Sequence, residues 1–450
     1  MIVSTISSKY VRENGLRFEG EYYLNRNSYL SMQIEKHSKR IRTLESVATV
    51  FNPPVFKRQF CCNTFNSVPY FQSSDVPNAE ERSSTFVYKG QAESLNLLVK
   101  EGDILVTGFG SIGNTKIVSK FQDGSCYANN VCRIRITDTV ERDVVYAFLS
   151  SKYGFAQLNK HASGSVVRYI EAPGIKKVLI PSFETAFSDK VSLLISDAVR
   201  LRVEAIEALE KSHQIIEGAI KKVPETRRNS VSIRSIFNSH NKRFEGSYYI
   251  SHNRQLYDHI QSHFECDLLK DCTEKIFRPG IFKRNYVQNG VTFLGGADIM
   301  LAIPSSDKKL SYKQVESMPE LKVNKGWILA TCGGTIGNTI YVDDQIAQCV
   351  ISQHVMRIVP KETASKEYLF AFLSSSIGHE LITMFTYGAV IPQVEPHHLG
   401  LIPIPKISKE DEMSIKGLIN EYAFKLDRSK ALELEAIKLV ETEIEQWNKN

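Results

Sequence analysis

The sequence predicts an α+β chain built as two tandem α/β domains of similar fold, separated by two long antiparallel coiled-coil helices about a pseudo-two-fold. Three observations lead there. The 450-residue chain is written twice. Each copy runs through short β-branched and aromatic stretches broken by Asn, Pro and Gly before it turns helical. Each copy closes on a long charged segment whose apolar residues recur at helical spacing.

The duplication is read first, because a missed repeat mis-assigns a whole fold. RFEGEYYLNRN at Arg17 returns as RFEGSYYISHN at Arg243, and VFKR at Val55 returns as IFKR at Ile281. GDILVTGFGSIGNT at Gly102 returns as GWILATCGGTIGNT at Gly326, and YAFLSSKYG at Tyr146 as FAFLSSSIG at Phe370. The offset stays within 223 to 226 residues, so the register hardly slips between copies. Within each copy the order is the same: strands and turns, a helical stretch (VVYAFLSSKYGFAQLNKH; EYLFAFLSSSIGHELITMF), a short strand at proline (KKVLIPSF; LGLIPIPKI), then the long helix.

The long helices carry a seam. Val191, Leu194, Ala198, Leu201, Ala205, Ala208 and Ile215 fall mostly at alternating spacings of three and four, with Arg200, Arg202, Glu204, Glu207 and Glu210 placed off the seam. Ile415, Leu418, Tyr422, Leu426, Ile437, Val440 and Ile444 form a less regular stripe. At 1.5 Å per residue each helix would be about 50 Å long, and two such narrow seams are expected to pack on each other. The division expected is 1–183 for the first domain with an N-terminal extension at 1–40, 184–225 for a central spacer helix, 226–407 for the second domain and 408–450 for a C-terminal spacer helix.

Composition bounds the function classes. A formal net charge of +6 permits an anionic partner without requiring one. The eight cysteines include no C-x-x-C pair, which argues against a zinc ribbon and for free thiols in a reducing cytoplasm. The N-terminal MIVSTISSKYVREN lacks a signal-length apolar core, and no window reaches the ~18 apolar residues of a membrane span. A soluble prokaryotic cytoplasmic protein is expected, with no membrane partner.

Gly108, Gly110 and Gly113 spell G-x-G-x-x-G, the wording of a dinucleotide turn. The second copy tests that reading. There Cys332 replaces Gly108, the glycine that makes the tight turn, and GNTKIVSKF and GNTIYVDDQ continue as strands, not as a phosphate-binding helix. A P-loop fails as well, because Asn114 and Asn338 stand where its lysine should be. The shared G-[ST]-I-G-N-T suits a β-turn. No H-E-x-x-H, G-x-S-x-G or N-P-P-Y pattern occurs; FNPPVF at Phe51 is a proline-rich turn. No catalytic or metal-ligating residue is assigned.

Two equivalent modules suit a bipartite target, and duplex DNA is the obvious one. The first copy offers Lys57, Arg58, Arg133, Arg135 and Arg168 with Asn114, Asn129 and Asn130; the second offers Arg278, Lys283, Arg284 and Arg357 with Asn338, Gln353, His354 and Gln393. Cationic side chains serve phosphates, and Arg, Asn and Gln also read base edges. The candidate DNA contacts are Lys57, Arg58, Asn114, Asn129, Asn130, Arg168, Lys283, Arg284, Asn338, Gln353, His354 and Gln393.

The ordered set of a GDIL or GWIL strand, a G-[ST]-I-G-N turn, a second strand, an F-L-S-S helix, an I-P-Q-V loop and an IPIP strand resembles the target recognition domains of type I restriction-modification DNA specificity subunits. ISQHVMRIVP at Ile351 and GAVIPQVEPHHLGLIPIP at Gly388 fit it most closely. The resemblance implies a non-catalytic subunit whose two domains each read half of a split DNA sequence from the major groove. It implies helices that set the spacing and dock two DNA methylation subunits, which use S-adenosylmethionine on an adenine flipped from the stack, and a restriction/translocase subunit that joins them. This chain itself takes no cofactor. A stand-alone DNA-binding component of a phage-defence system is the alternative, and a nucleotide-dependent enzyme using the glycine loop a third reading. Two features depart from the pattern. RFEGEYYLNRN and its copy precede the usual starts near Ile41 and Leu268, as a packing layer or a docking arm. RYIEAPG also stands in copy one where copy two has IPQVEPH.

Overall fold

The computed structural model describes residues 8–13, 26–37, 40–79, 82–162, 168–220, 230–238, 243–388 and 392–447. Contacts divide the chain into two units: Met1–Val203 with Arg428–Asn450, and Glu204–Asp427. Both long helices, Thr185–Ile220 and Lys409–Trp447, contribute a part to each unit.

The first unit holds β1 (Ile41–Thr43), β2 (Thr49–Phe51), β3 (Phe60–Cys61), β4 (Ser67–Phe71), β5 (Phe86–Tyr88), β6 (Ile104–Thr107), β7 (Thr115–Ile117), β8 (Cys126–Tyr127), β9 (Val131–Arg135) and β10 (Leu179–Pro181). An antiparallel sheet runs β2-β9-β6-β7, a second sheet runs β3-β5-β4-β8, and β1 pairs with β10. The central β6 reads ILVT and is buried throughout, as an apolar run between two layers should be. Its alternate residues face different cores: Ile104 and Val106 pack with the helices, Leu105 with the second sheet.

The second unit repeats this plan. It holds β11 (Cys266–Leu268), β12 (Thr273–Phe277), β13 (Tyr286–Leu294), β14 (Lys309–Leu310), β15 (Ile328–Gly333), β16 (Thr335–Tyr341), β17 (Val350–Ile351), β18 (Val355–Pro360) and β19 (Pro403–Pro405). Its sheets run β12-β18-β15-β16 and β14-β13-β17, and β11 pairs with β19. Ile328 and Ala330 again pack with helices while Leu329 faces the other core.

The helical stretch around F-L-S-S is not one helix. It breaks into Thr139–Ser150 and Lys152–Lys160 in the first unit, and into Lys366–Ser374 and Ser376–Met384 in the second. Ser151 and Ser375 each end one helix and cap the next, accepting from Gly154 N and Gly378 N. A Cβ on Gly154 or Gly378 would lie 2.1 Å from the carbonyl oxygen of Phe148 or Phe372, so the corner closes only with glycine. The repeated F-L-S-S-x-x-G is the wording of this corner.

Upstream segments pack on the second helix of each corner. Helix Arg26–Glu35 buries Ser31 and Ile34, and its Glu35 pairs with Lys160. Helix His252–His263 buries Leu256 and Ile260, and Asn253 Nδ2 donates to Glu380 O at 2.9 Å. The later part of the second RFEG segment is therefore a packing layer. Residues 17–25 of the first lie outside the described residues.

Within the first unit the long helices run antiparallel. Trp447 stacks near Phe183 at 5.3 Å, Ser429 Oγ donates to Ala198 O at 2.6 Å, and Arg202 pairs with Glu433. Within the second unit Lys425 meets Glu204 at 2.8 Å, and Ile415 and Ile419 share a core with Ile216 and Ile220. The expected seam holds at Val191, Ala198, Ala205 and Ala208, but Ile195 and Ile216 are buried where Leu194 and Ile215 were expected. Arg202 is a clear correction. It is 6% exposed and lies in the seam, because Glu433 neutralises it there while Tyr146 Oη donates to Glu433 Oε1 at 2.5 Å. Among the described residues no helix is long and apolar enough to cross a membrane, and the eight cysteines form no disulfide.

Candidate nucleic-acid interface

The G-[ST]-I-G-N-T stretch turns between antiparallel strands. β6 pairs with β7, Val106 opposite Thr115, and β15 with β16, Gly333 opposite Thr335. Gly110 and Gly113, like Gly334 and Gly337, have positive φ. Thr107 Oγ1 accepts from Asn114 N at 3.0 Å, and Thr331 Oγ1 from Asn338 N at 3.1 Å, so the shared Thr and Asn brace the hairpin. The Asn114 side chain bends back to Ser111 O at 3.4 Å. A strand follows each loop, which removes the helix N-terminus that a pyrophosphate would need.

Gly108 does something other than turn the chain. Its N–H donates to Asn130 O at 3.0 Å, and its carbonyl accepts from Ile170 N at 2.8 Å. A Cβ there would sit 2.5 Å from Ile170 O. Three segments thus cross at one strand end. In the second copy Cys332 takes the same bonds, donating to His354 O at 3.0 Å and accepting from Val394 N at 3.2 Å.

This crossing gathers many of the expected residues. In the first unit Asn52 ties it together, donating to Asn129 O at 3.1 Å and accepting from Ala172 N at 2.8 Å, while Phe109 stacks on Tyr169 at 5.4 Å. Asn129 and Asn130 are half-buried; the exposed Arg168 donates to Asn159 O at 2.6 Å. In the second unit Arg284 Nη2 donates to Gln353 Oε1 at 3.1 Å, and Gln353 Nε2 lies 3.3 Å from His354 Nε2. Gln393 forms a backbone bridge to Gly333 and a reciprocal pair with Tyr387. Its neighbour Glu395 accepts from Arg278 and from Tyr387 Oη, each at 2.6 Å. Gln353 is 7% exposed, so its amide is presented by the fold and not by a free loop. Burial, then the charges of Arg284 and Arg278, lowers the pKa of His354, which is neutral at pH 7 with one ring nitrogen able to accept.

Lys57 and Lys283 are exposed; the Arg58 guanidinium lies 5.6 Å over Tyr70, and that of Arg284 lies 5.4 Å over Phe293.

Three of the cationic candidates are overturned. Arg133 and Arg357 are both 0% exposed. Arg133 donates to the carbonyls of Leu97, Tyr127, Ala128 and Val131. Arg357 donates to Leu321, Ile351, Ser352 and Val355, the same four positions one repeat later. Burial lowers each guanidinium pKa to about 10, so both stay charged at neutral pH. They are clamps on the loops behind the sheet. Arg135 binds Asp103 through two nitrogens at 2.7 Å. The sequence could have flagged them: each arginine alternates with apolar residues along a strand (VCRIR, VMRIV). Asn52, missed as a site residue, had a signal in its N-P-P context, a turn that needs a side-chain tie.

Residues 269–439 match the family model described as the type I restriction modification DNA specificity domain. The matched region begins between β11 and β12, includes the whole crossing around Cys332 and reaches into the last helix, and the first unit repeats the plan of the second. Among solved structures, the chain is similar to a type I restriction-modification S subunit from M. genitalium, at 14% identity and a TM-score of 0.35, over 90% of this chain and 94% of that one. It is also similar to the HsdS subunit from Thermoanaerobacter tengcongensis, at 16% identity and a TM-score of 0.28, over 90% and 95%. The type IIG restriction endonuclease BpuSI matches 42% of this chain and 30% of its own, at 9% identity and a TM-score of 0.30. No curated protein matches the sequence.

Proposed function

We propose that this chain is the sequence-specific DNA-binding subunit of a type I restriction-modification complex, and that residues 1–183 and 226–407 each read one half of a bipartite target. The carrying observation is the crossing at Gly108 and Cys332 inside a specificity domain and its repeat. There hydrogen-bonding side chains differ between copies (Asn129 and Asn130 against Gln353 and His354) on one shared frame. A common frame with different polar tips is what two readers of different half-sites require. Lys57, Arg58, Lys283 and Arg284 serve the phosphates; Asn114, Asn129, Asn130, Arg168, Asn338, Gln353, His354 and Gln393 supply the donors and acceptors near the bases.

The chain supplies binding and no chemistry. Two DNA methylation subunits, carrying the S-adenosylmethionine, dock on the long helices at 184–225 and 408–450, which act as the spacer between readers. A restriction/translocase subunit completes the cleaving form.

Methylome sequencing of the host tests this reading. Deleting the gene should erase one bipartite methylated motif; an unchanged methylome overturns the reading. In binding assays with the full chain, Lys283→Gln should weaken duplex binding and reduce the slope of log affinity against log salt by about one.

A further inference from the structure

One construction occurs in both copies and holds an apolar residue out of either core. Val55 is 85% exposed and its repeat equivalent Ile281 is 95% exposed. Full exposure of a β-branched residue at both equivalent positions is unusual, because neither gains anything from folding. The loop that presents it is built rigidly, and by the same parts each time. Prolines precede it, at Pro53 and Pro54 or at Pro279. The next residue turns inward, Phe56 against Tyr70 at 6.4 Å and Phe282 against Phe293 at 6.3 Å, both edge-on. The following lysine's carbonyl is tethered by a distant amide: Gln91 Nε2 to Lys57 O at 2.9 Å, and Gln314 Nε2 to Lys283 O at 2.7 Å. The arginine after it lies over the ring that the inward residue meets, Arg58 over Tyr70 and Arg284 over Phe293. A part-exposed aromatic, Phe60 or Tyr286, packs on that same ring.

Each loop thus holds one apolar tip forward with a lysine and an arginine beside it. Among the described residues, Lys57, Arg58, Lys283 and Arg284 form no ion pair, so four cations stand beside the two tips without a carboxylate. A partner for this surface must offer anionic groups flanking an apolar patch. A protein partner would have to set carboxylates around an apolar patch at both tips, whereas a DNA groove carries anionic edges along its whole length. Phosphates line its edges, and thymine methyls and base edges lie between them.

Resting on the DNA-binding reading above, we infer that Val55 and Ile281 are apolar base contacts. Each side chain enters the major groove of its half-site while the adjacent lysine and arginine hold the phosphates on either side. Such contacts discriminate by shape and methyl complementarity, which hydrogen-bonding side chains alone do not supply. Conversion of a valine to an isoleucine between the copies would adjust reach by one methylene.

Binding of the full chain to its cognate duplex tests the inference, using Val55→Ser, Ile281→Ser and the near-isosteric Val55→Thr. Because both residues are exposed, thermal midpoints should match the parent chain. Each serine variant should weaken cognate binding by about 5- to 150-fold, the range of a lost base contact. Binding to unrelated duplex and the salt slope should stay as in the parent. Substituting uracil for thymine in one half-site should weaken the parent chain and leave the variant of the matching tip indifferent. Serine variants that bind cognate DNA like the parent overturn the inference. So does an effect confined to association with the methylation subunits, which would make the tips a protein-docking surface. If the parent chain binds no duplex at all, the proposed function fails, an outcome distinct from parent binding that the tip variants leave unchanged.

Discussion

At the residue scale, Arg133 and Arg357 show how a cation can serve the fold alone, sealed from any partner. Each guanidinium spans four backbone carbonyls, using its planar fork to serve two nitrogens' worth of acceptors. Replacing either by leucine removes these bonds; Ala128 O and Ser352 O still accept from Val131 N and Val355 N, but each buried carbonyl left unpaired costs about 1–3 kcal/mol. Arg357→Leu should therefore lower unfolding free energy by at least about 3 kcal/mol in a denaturant titration. Arg357→Lys should not rescue it, because one ammonium cannot reach both pairs of acceptors. A parent-like midpoint for either variant would remove the clamp role. Gly108 works at the same scale. Gly108→Ala should destabilise the first unit through its clash with Ile170 O, whereas Cys332→Ala, which keeps the Cβ already present, should be mild.

At the element scale, the helix corner and the seam carry the sequence signals, and each corrected an expectation. The unbroken run VVYAFLSSKYGFAQLNKH has helical periodicity on both sides of Ser151, so periodicity alone reads it as one helix. The break comes from a cap and a close approach at glycine, which periodicity does not encode. In the long helix, a rule that puts charges outside the seam misplaced Arg202, because its partner Glu433 lies 231 residues away. The same helix carries a pH-sensitive contact. Burial lowers the pKa of His213 from 6.5 to about 4, and its Nε2 lies 2.9 Å from Ser374 Oγ. The unfolded chain takes up this proton near pH 6.5 and the folded chain only near pH 4. The stability contribution is therefore complete above pH 6.5 and declines as pH falls towards 4. His213→Gln should flatten the stability profile over that window relative to the parent; parallel profiles would contradict it.

At the scale of the whole molecule, duplication is the organising fact. Each unit repeats the other's central sheet, helix corner, upstream packing helix and strand pair at proline. If each copy reads its own half-site, as proposed, exchanging residues 41–183 for the matching segment of a type I specificity subunit should alter one half of the methylated motif and leave the other half intact. A change in both halves would show that the copies do not read independently.

The amino-acid sequence by itself determined the duplication, the mixed α+β class, the two long helices and the strand-turn-strand nature of the glycine loop. All four rest on local pattern or on self-comparison, which need no knowledge of what touches what. Family resemblance was legible for the same reason, since ordered motifs survive as text. Only the tertiary structure decided which polar residues face outward. Alternation in VCRIR hints that Arg133 is buried, but only the packed fold shows it sealed behind a sheet while Lys57 is exposed. It also decided that Gly108 marks a crossing of three chain segments and that Asn52 ties them. These roles depend on partners dozens of residues distant, and burial is a property of the packed assembly of segments, not of any one of them.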